Sequence, residues 1–256
     1  MGQSLYGVTV CQTGAFVRDG LQRITGVTAF DNTTPLLRHF KLDYLAADTF
    51  RVSVNDTVGP TFMPAEKETP RIAEYEYFRK PPQEELELYR PSSTRVLKIS
   101  TIGRYSGTSL CFYAAGGNGP YTGKPAPTGI IAYQGTADGI AVIKGSTYRL
   151  LGSLAEATLS YEANQGVFLH LKLSGRQPAF DGGGASPAVD LVDVRSNTIG
   201  VDNNGEGYVD FAGVYTGNAR FSVSDSDPKP GSITFAFYLR NSAGDQIIGS
   251  AAVEKP

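Results

Sequence analysis

The chain has 256 residues with 41% hydrophobic and 11% aromatic content, 30 glycines, 15 prolines and a formal net charge of -2. That is enough apolar material for one large β domain or two modest ones, and it argues against disorder. A near-neutral balance without a basic stripe or polybasic patch argues against nucleic acid and anionic membrane as partners, and no apolar run reaches the roughly 18 residues needed to span a bilayer.

The N-terminal stretch MGQSLYGVTVC lacks the basic start and apolar core of a signal peptide. Val10 precedes Cys11 where a lipid-modified cysteine would follow a small residue, so Cys11 is not read as a lipidation site. Within residues 1–25, GVTV predicts a strand and the remainder carries no clear period. Phe40, Leu42 and Tyr44 then alternate with Lys41 and Asp43, LAAD turns the chain, and Phe50, Val52 and Val54 alternate with Arg51 and Ser53. This pattern predicts a hairpin. A second one runs through Ala73, Tyr75 and Tyr77, turns over Lys80–Glu85 and returns through Leu86 and Leu88. Pro81 and Pro82 belong in its turn, because proline cannot donate to a ladder. Val96 to Ile102 supplies another strand. Residues 114–129, AAGGNGPYTGKPAPTG, have the composition of a linker. They divide the chain into a β-rich domain over 1–125 and a second domain over 126–256.

From Ile130 onward apolar and polar residues exchange every second position. Ala155, Ala157, Leu159 and Tyr161 alternate with Glu156, Thr158, Ser160 and Glu162. Val167, Leu169, Leu171 and Leu173 alternate with Phe168, His170, Lys172 and Ser174. Ile233, Phe235, Phe237 and Leu239 alternate with Thr234, Ala236, Tyr238 and Arg240. Such patterning predicts one buried face and one in solvent. About eight strands are read here, enough to close a small barrel filled by side chains. Long helical periodicity is missing, so the fold class is all-β, with a β-rich N-terminal domain followed by a C-terminal antiparallel eight-stranded barrel.

Cys11 and Cys111 are either one bridge or two separate buried thiols, and a count of two cannot choose. The bridge is preferred here, because Cys111 sits beside a strand and Cys11 lies in a segment that needs anchoring; it would indicate an oxidising compartment. The two histidines, His39 and His170, fall in different domains, and no second ligand stands at metal-binding spacing. His170 is assigned to the outer barrel face. Asp202, Asn204 and Glu206 in DNNGEGYVD imitate the start of a calcium loop, but Gly213 stands where the bidentate Glu belongs, so a turn is expected. DGGGAS around Gly182–Gly184 lacks the Lys-Ser/Thr pair of a phosphate loop. Glu84, Glu85 and Glu87 read as a solvated hairpin face. No Gly-x-Ser-x-Gly elbow or triad is present, so an enzyme is not expected. The tip formed by Phe78, Arg79 and Lys80 is a candidate partner contact.

IAYQGTADGIAV, in which Tyr133, Gly135, Ala137 and Gly139 follow a Tyr-x-Gly-x-Ala-x-Gly spacing, resembles the opening of the barrel domain of transferrin-binding-protein-like surface lipoproteins. DQIIGSAAVEK is similar to that family's closing strand, and TFRVSVNDTVGPTFMPAEKETPRIAEYEYFRK to its smaller handle domain. The resemblance covers roughly residues 40–110 and 130–256. It departs at ARFSVSDSDPKPGSITFAFYL, which keeps only Phe221 and Gly231 of the family's penultimate pattern. The resemblance implies a handle-plus-barrel protein of a Gram-negative bacterium, at the outer-membrane surface and lipid-anchored in its full-length precursor, or in the periplasm. It also implies capture of an iron source or related solute, without bond chemistry, for a TonB-dependent outer-membrane receptor. Under this reading the chain is a monomer that needs no cofactor, haem is an admissible ligand, and His39 and Tyr44 in the handle are the candidate ligand-binding residues. The alternative is a structural or host-interaction protein, an adhesin or complement-binding factor with no small-molecule ligand.

Overall fold

The computed structural model describes residues 4–18, 24–31, 34–70, 75–80, 84–89, 96–104, 109–116, 129–150, 153–162, 166–176, 187–197, 206–224 and 231–256. Regular structure among them is strand, apart from one short 3-10 turn at Pro64–Glu66. The first sheet contains β1 (Ser4–Arg18), β2 (Ile24–Phe30), β3 (Leu36–Ala46), β4 (Thr49–Val54), β5 (Thr57–Phe62), β6 (Lys67–Glu68), β7 (Tyr75–Lys80), β8 (Glu84–Tyr89), β9 (Val96–Arg104) and β10 (Ser109–Gly116). They pair in the order β5-β4-β3-β1-β10-β9-β8-β7-β6, with β2 on the far half of β1.

Both expected hairpins form. Tyr44 lies opposite Phe50 across β3 and β4, and Lys80 opposite Glu84 across β7 and β8. The second ladder extends into the expected turn, whose residues 81–83 lie outside the described set. Asn55 and Asp56 both take positive φ between β4 and β5, the backbone that a right-twisted two-residue hairpin turn requires. One face of this sheet buries Phe40, Leu42, Phe50, Phe62, Phe78, Leu86 and Leu88. The Phe50 ring meets Tyr44 and Phe78 edge-on, at 5.1 and 5.4 Å between centroids. Cys11 of β1 and Cys111 of β10 stand directly opposite each other and are joined, with a sulfur–sulfur distance of 2.09 Å. Linking residues 100 apart in sequence restricts the unfolded chain by about 4–5 kcal/mol in the loop-entropy picture.

The second sheet contains β11 (Gly129–Ile143), β12 (Ser146–Arg149), β13 (Ser153–Glu162), β14 (Gly166–Gly175), β15 (Val189–Arg195), β16 (Glu206–Phe211), β17 (Thr216–Ser224), β18 (Ser232–Arg240) and β19 (Gln246–Glu254). Its order is β15-β14-β13-β11-β19-β18-β17-β16, with β12 added to β11. The sheet curls until its ends meet. Ser196, just past β15, bridges to Phe211, and the Asn197 N–H donates to the Asp210 carbonyl at 2.8 Å. The resulting eight-stranded barrel is filled by Tyr133, Leu159, Leu169, Leu171, Phe221, Phe235, Phe237 and Leu239.

The glycines of the Tyr-x-Gly-x-Ala-x-Gly stretch have a packing reason. A Cβ on Gly135 would lie 2.0 Å from the Ala252 carbonyl oxygen, and one on Gly139 2.3 Å from that of Ile248. Only a bare backbone lets β11 and β19 approach this closely.

Two expectations need correction. Of the expected linker 114–129, residues 114–116 belong to β10 and Gly129 to β11; residues 117–128 lie outside the described set. The outer barrel face is not all in solvent either. Thr234, Ala236, Ser250 and Ala252 of β18 and β19 are buried along with their inward neighbours, because the first sheet lies against them. Val8, Val10, Leu37 and Phe112 from that sheet form one apolar cluster with Ile140, Ala236 and Ile248 of the barrel.

Candidate functional site

The seam between the sheets follows from strand parity. Tyr6, Val8, Val10 and Gln12 of β1 share one face, and pairing aligns them with Lys41, His39 and Leu37 of β3. The central part of this face is apolar and covered by the barrel. Polar groups collect at the two margins, which the sheet orders place on opposite sides of β1 and β19.

On one margin Arg149 of β12 lies 3.0 Å from Glu87 of β8 and 3.3 Å from Asp138 of β11, all three buried. The Thr147 hydroxyl donates to the Val27 carbonyl beside them at 3.0 Å. Charges this deep persist only when paired, so the cluster locks the relative position of the two sheets. Glu87 is therefore no solvated hairpin residue. Glu85 is buried too.

The other margin opens to solvent. Arg220 of β17 donates from Nη2 to His39 Nδ1 at 3.1 Å and from Nη1 to the Tyr208 hydroxyl at 2.5 Å. Its guanidinium lies 5.0 Å from the centroid of the Tyr208 ring. Beyond His39, the Lys41 ammonium lies 5.9 Å from the centroid of the Tyr6 ring. Tyr6 and Tyr208 are 47% and 55% exposed. The row therefore reads tyrosine, cation, histidine, cation, tyrosine, and it crosses from one sheet to the other. Next to Arg220, Tyr238 donates to Asn218, whose amide donates to Asp210. Lys41 and Arg51 each lie 2.8 Å from Asp43, which also accepts from the Ser4 hydroxyl at 2.7 Å. Burial works to raise the Asp43 carboxyl, but the hydrogen bonds from Lys41, Arg51 and Ser4 outweigh it and hold the group at about 2.

His39 lies in this row. A guanidinium only donates, so Nδ1 is the accepting atom in this contact. Tyr44 does not join it. Five residues along the strand it faces the opposite way, its ring packed on Phe50, so the two candidate ligand-binding residues, His39 and Tyr44, lie on opposite faces of the sheet. Phe78 is wholly buried against Phe50, so it is core and not a contact residue. Arg79 lies 3.5 Å from Glu68, and Lys80 donates to the Thr61 carbonyl at 3.1 Å. His170 lies outside the barrel, hydrogen-bonded to Asp193, and that bond holds the aspartate below its ordinary value. Beside them a groove of about 380 Å³ is bordered by Glu156, Lys172 and Asp190. Residues 202–205 and 182–184 lie outside the described set, while Glu206 is in β16 opposite Ser222. Among the described residues no cluster of His, Cys, Asp and Glu is suited to hold a metal ion, and no helix is long and apolar enough to cross a membrane.

Tyr6, Lys41, Tyr208 and Arg220 escape a reading of motifs. The one local signal is an aromatic residue at an outward strand position, as Tyr208 is between Gly207 and Val209, where alternation calls for a polar residue.

No protein-family model and no curated protein matches the sequence. Among solved structures the chain is similar to transferrin-binding protein B from Haemophilus parasuis, in a double-mutant form, at 9% identity and TM-score 0.43, over 100% of this chain and 76% of that one. It is similar also to the isotype 1 transferrin-binding protein B from serogroup B Neisseria meningitidis, at 7% identity and TM-score 0.45, over 100% and 77%. Likenesses this distant say nothing of ligand or site.

Proposed function

We propose that this chain is a non-enzymatic binding protein that takes a protein partner on the open margin where its two sheets meet. The observation that carries this reading is the pair of exposed tyrosines, each lying beside a cation and each held on a strand of a different sheet. Tyrosine and arginine are enriched at the energetic hot spots of protein interfaces, and tyrosine offers a large contact area at little entropic cost. The buried Arg149 cluster and the shared apolar seam keep the two halves of such a face in register. The sequence resemblance supports an iron carrier or haem protein as the partner, and a bacterial surface or periplasmic setting with an outer-membrane receptor downstream. A protein partner is favoured over free haem, since Arg220 occupies the accepting nitrogen of His39 and Tyr44 faces the other side of its strand.

The test is surface capture by the immobilised chain of iron-loaded transferrin and of haemoglobin. Capture of one of them is expected, with Tyr6→Ala and Tyr208→Ala each lowering affinity about tenfold or more. Failure to capture either would remove the iron-carrier reading, and capture undiminished in both variants would remove the face. A haemin titration giving a Soret shift that His39→Ala abolishes would favour haem instead.

A further inference from the structure

Six residues along β1 from Tyr6, the seam opens into a cleft of about 160 Å³. Its walls come from both sheets: Gln12, Phe30 and Asp31 from the first, Tyr238, Arg240 and Ile248 from the barrel. Phe30 and Ile248 are part of the buried seam cluster, and Tyr238 packs on it. Gln12 is buried, with its amide donating to the Asp31 carbonyl at 2.8 Å, which holds that wall in place. The Asp31 and Arg240 side chains are exposed. Both residues line the cleft, one from each sheet.

We propose that this cleft binds a free α-amino acid with an aromatic or large apolar side chain. A site next to the tyrosine margin, with Tyr238 common to both, it has the three features such a ligand needs. The volume is close to that of an enclosed cavity of about 150 Å³ that accepts one benzene-like ring, although this cleft is open to solvent on one side. Phe30, Tyr238 and Ile248 supply that lining. Arg240 offers donors to a carboxylate, and Asp31 accepts from an ammonium. A ligand carrying only one of these charges meets a partner on one wall and a like or unpaired charge on the other, so the site selects against it. Concave, mainly apolar sites with a few convergent polar groups are the usual form of a small-molecule pocket.

Calorimetric titration of the full chain with L-phenylalanine, 3-phenylpropionate and 2-phenylethylamine tests this. Phenylalanine is expected to bind with a Kd of about 1 mM or tighter, and each analogue about three- to fivefold more weakly, as suits charges near a surface. Asp31→Asn and Arg240→Gln change exposed side chains, so folding is not at stake. Each should weaken phenylalanine by a similar factor, while Asp31→Asn strengthens the acid and Arg240→Gln strengthens the amine. Absence of phenylalanine binding, equal binding of the three compounds, or indifference to both charge substitutions would overturn the proposal.

Discussion

Asp43 shows how far a single carboxylate is defined by its neighbours. The group is buried, and burial alone disfavours its charge; Lys41, Arg51 and Ser4 together reverse that and hold it at about 2 against an ordinary 3.8. A carboxyl lowered on folding adds stability that is fully present above its unfolded value and is lost as pH falls through the folded one. The same hydrogen bond to Asp43 raises Lys41 above 10.5, so the pair's contribution persists up to that alkaline limit and declines beyond it. In thermal melts the wild type should lose stability between about pH 4 and 2, and Asp43→Asn should show a shallower slope over that window. An unchanged slope would assign the acid sensitivity to other carboxylates. Position parity made part of this scale legible. His39 and Tyr44, five residues apart on one strand, must face opposite ways. Phe78 was harder, because Glu76 and Lys80 share its parity and make that face read as polar. Only Leu86 across the ladder and Phe50 above it make it core.

At the scale of elements, the pairing of β11 with β19 is tightly constrained. Gly139 and Gly249 are cross-strand partners, and a Cβ on Gly249 would lie 2.4 Å from the Asp138 carbonyl oxygen. Backbone cannot yield as a flexible side chain can. Gly249→Val should therefore cost about 1–3 kcal/mol through forced backbone displacement, read as a lower urea midpoint; an unchanged midpoint would show that the strands can separate there without loss. The glycine spacing is plain in the sequence, but its cause is not. Gly135 and Gly139 face residues more than a hundred positions away, and nothing local tells that β19 will lie beside β11 and not at an edge.

For the whole molecule, the decisive feature is that the two sheets share a core instead of being tethered. Arg149 joins them through Glu87 with both side chains nearly inaccessible. Arg149→Met removes a cation from beside two buried carboxylates and should destabilise the fold by about 3–5 kcal/mol. Adding Glu87→Met and Asp138→Leu should recover most of that, because a buried ion cluster exchanged whole for apolar side chains is often near neutral. A triple variant no better than the single one, measured by denaturant unfolding, would mean that the charges do more than compensate each other. By itself the sequence determined the all-β class, the hairpins around Tyr44–Phe50 and Lys80–Glu84, and the inward-facing residues of β13, β14 and β18, among them Leu159, Leu169, Leu171, Phe235 and Phe237. These follow from a two-residue period and from turn chemistry, which are local. Tertiary structure alone decided the closure through Ser196 and Phe211, the burial of the outer faces of β18 and β19, and the meeting of His39 with Arg220. A period of two tells which residues share a face, but what that face meets depends on sheet order and curvature, and those are set by contacts between segments that carry no mark of one another.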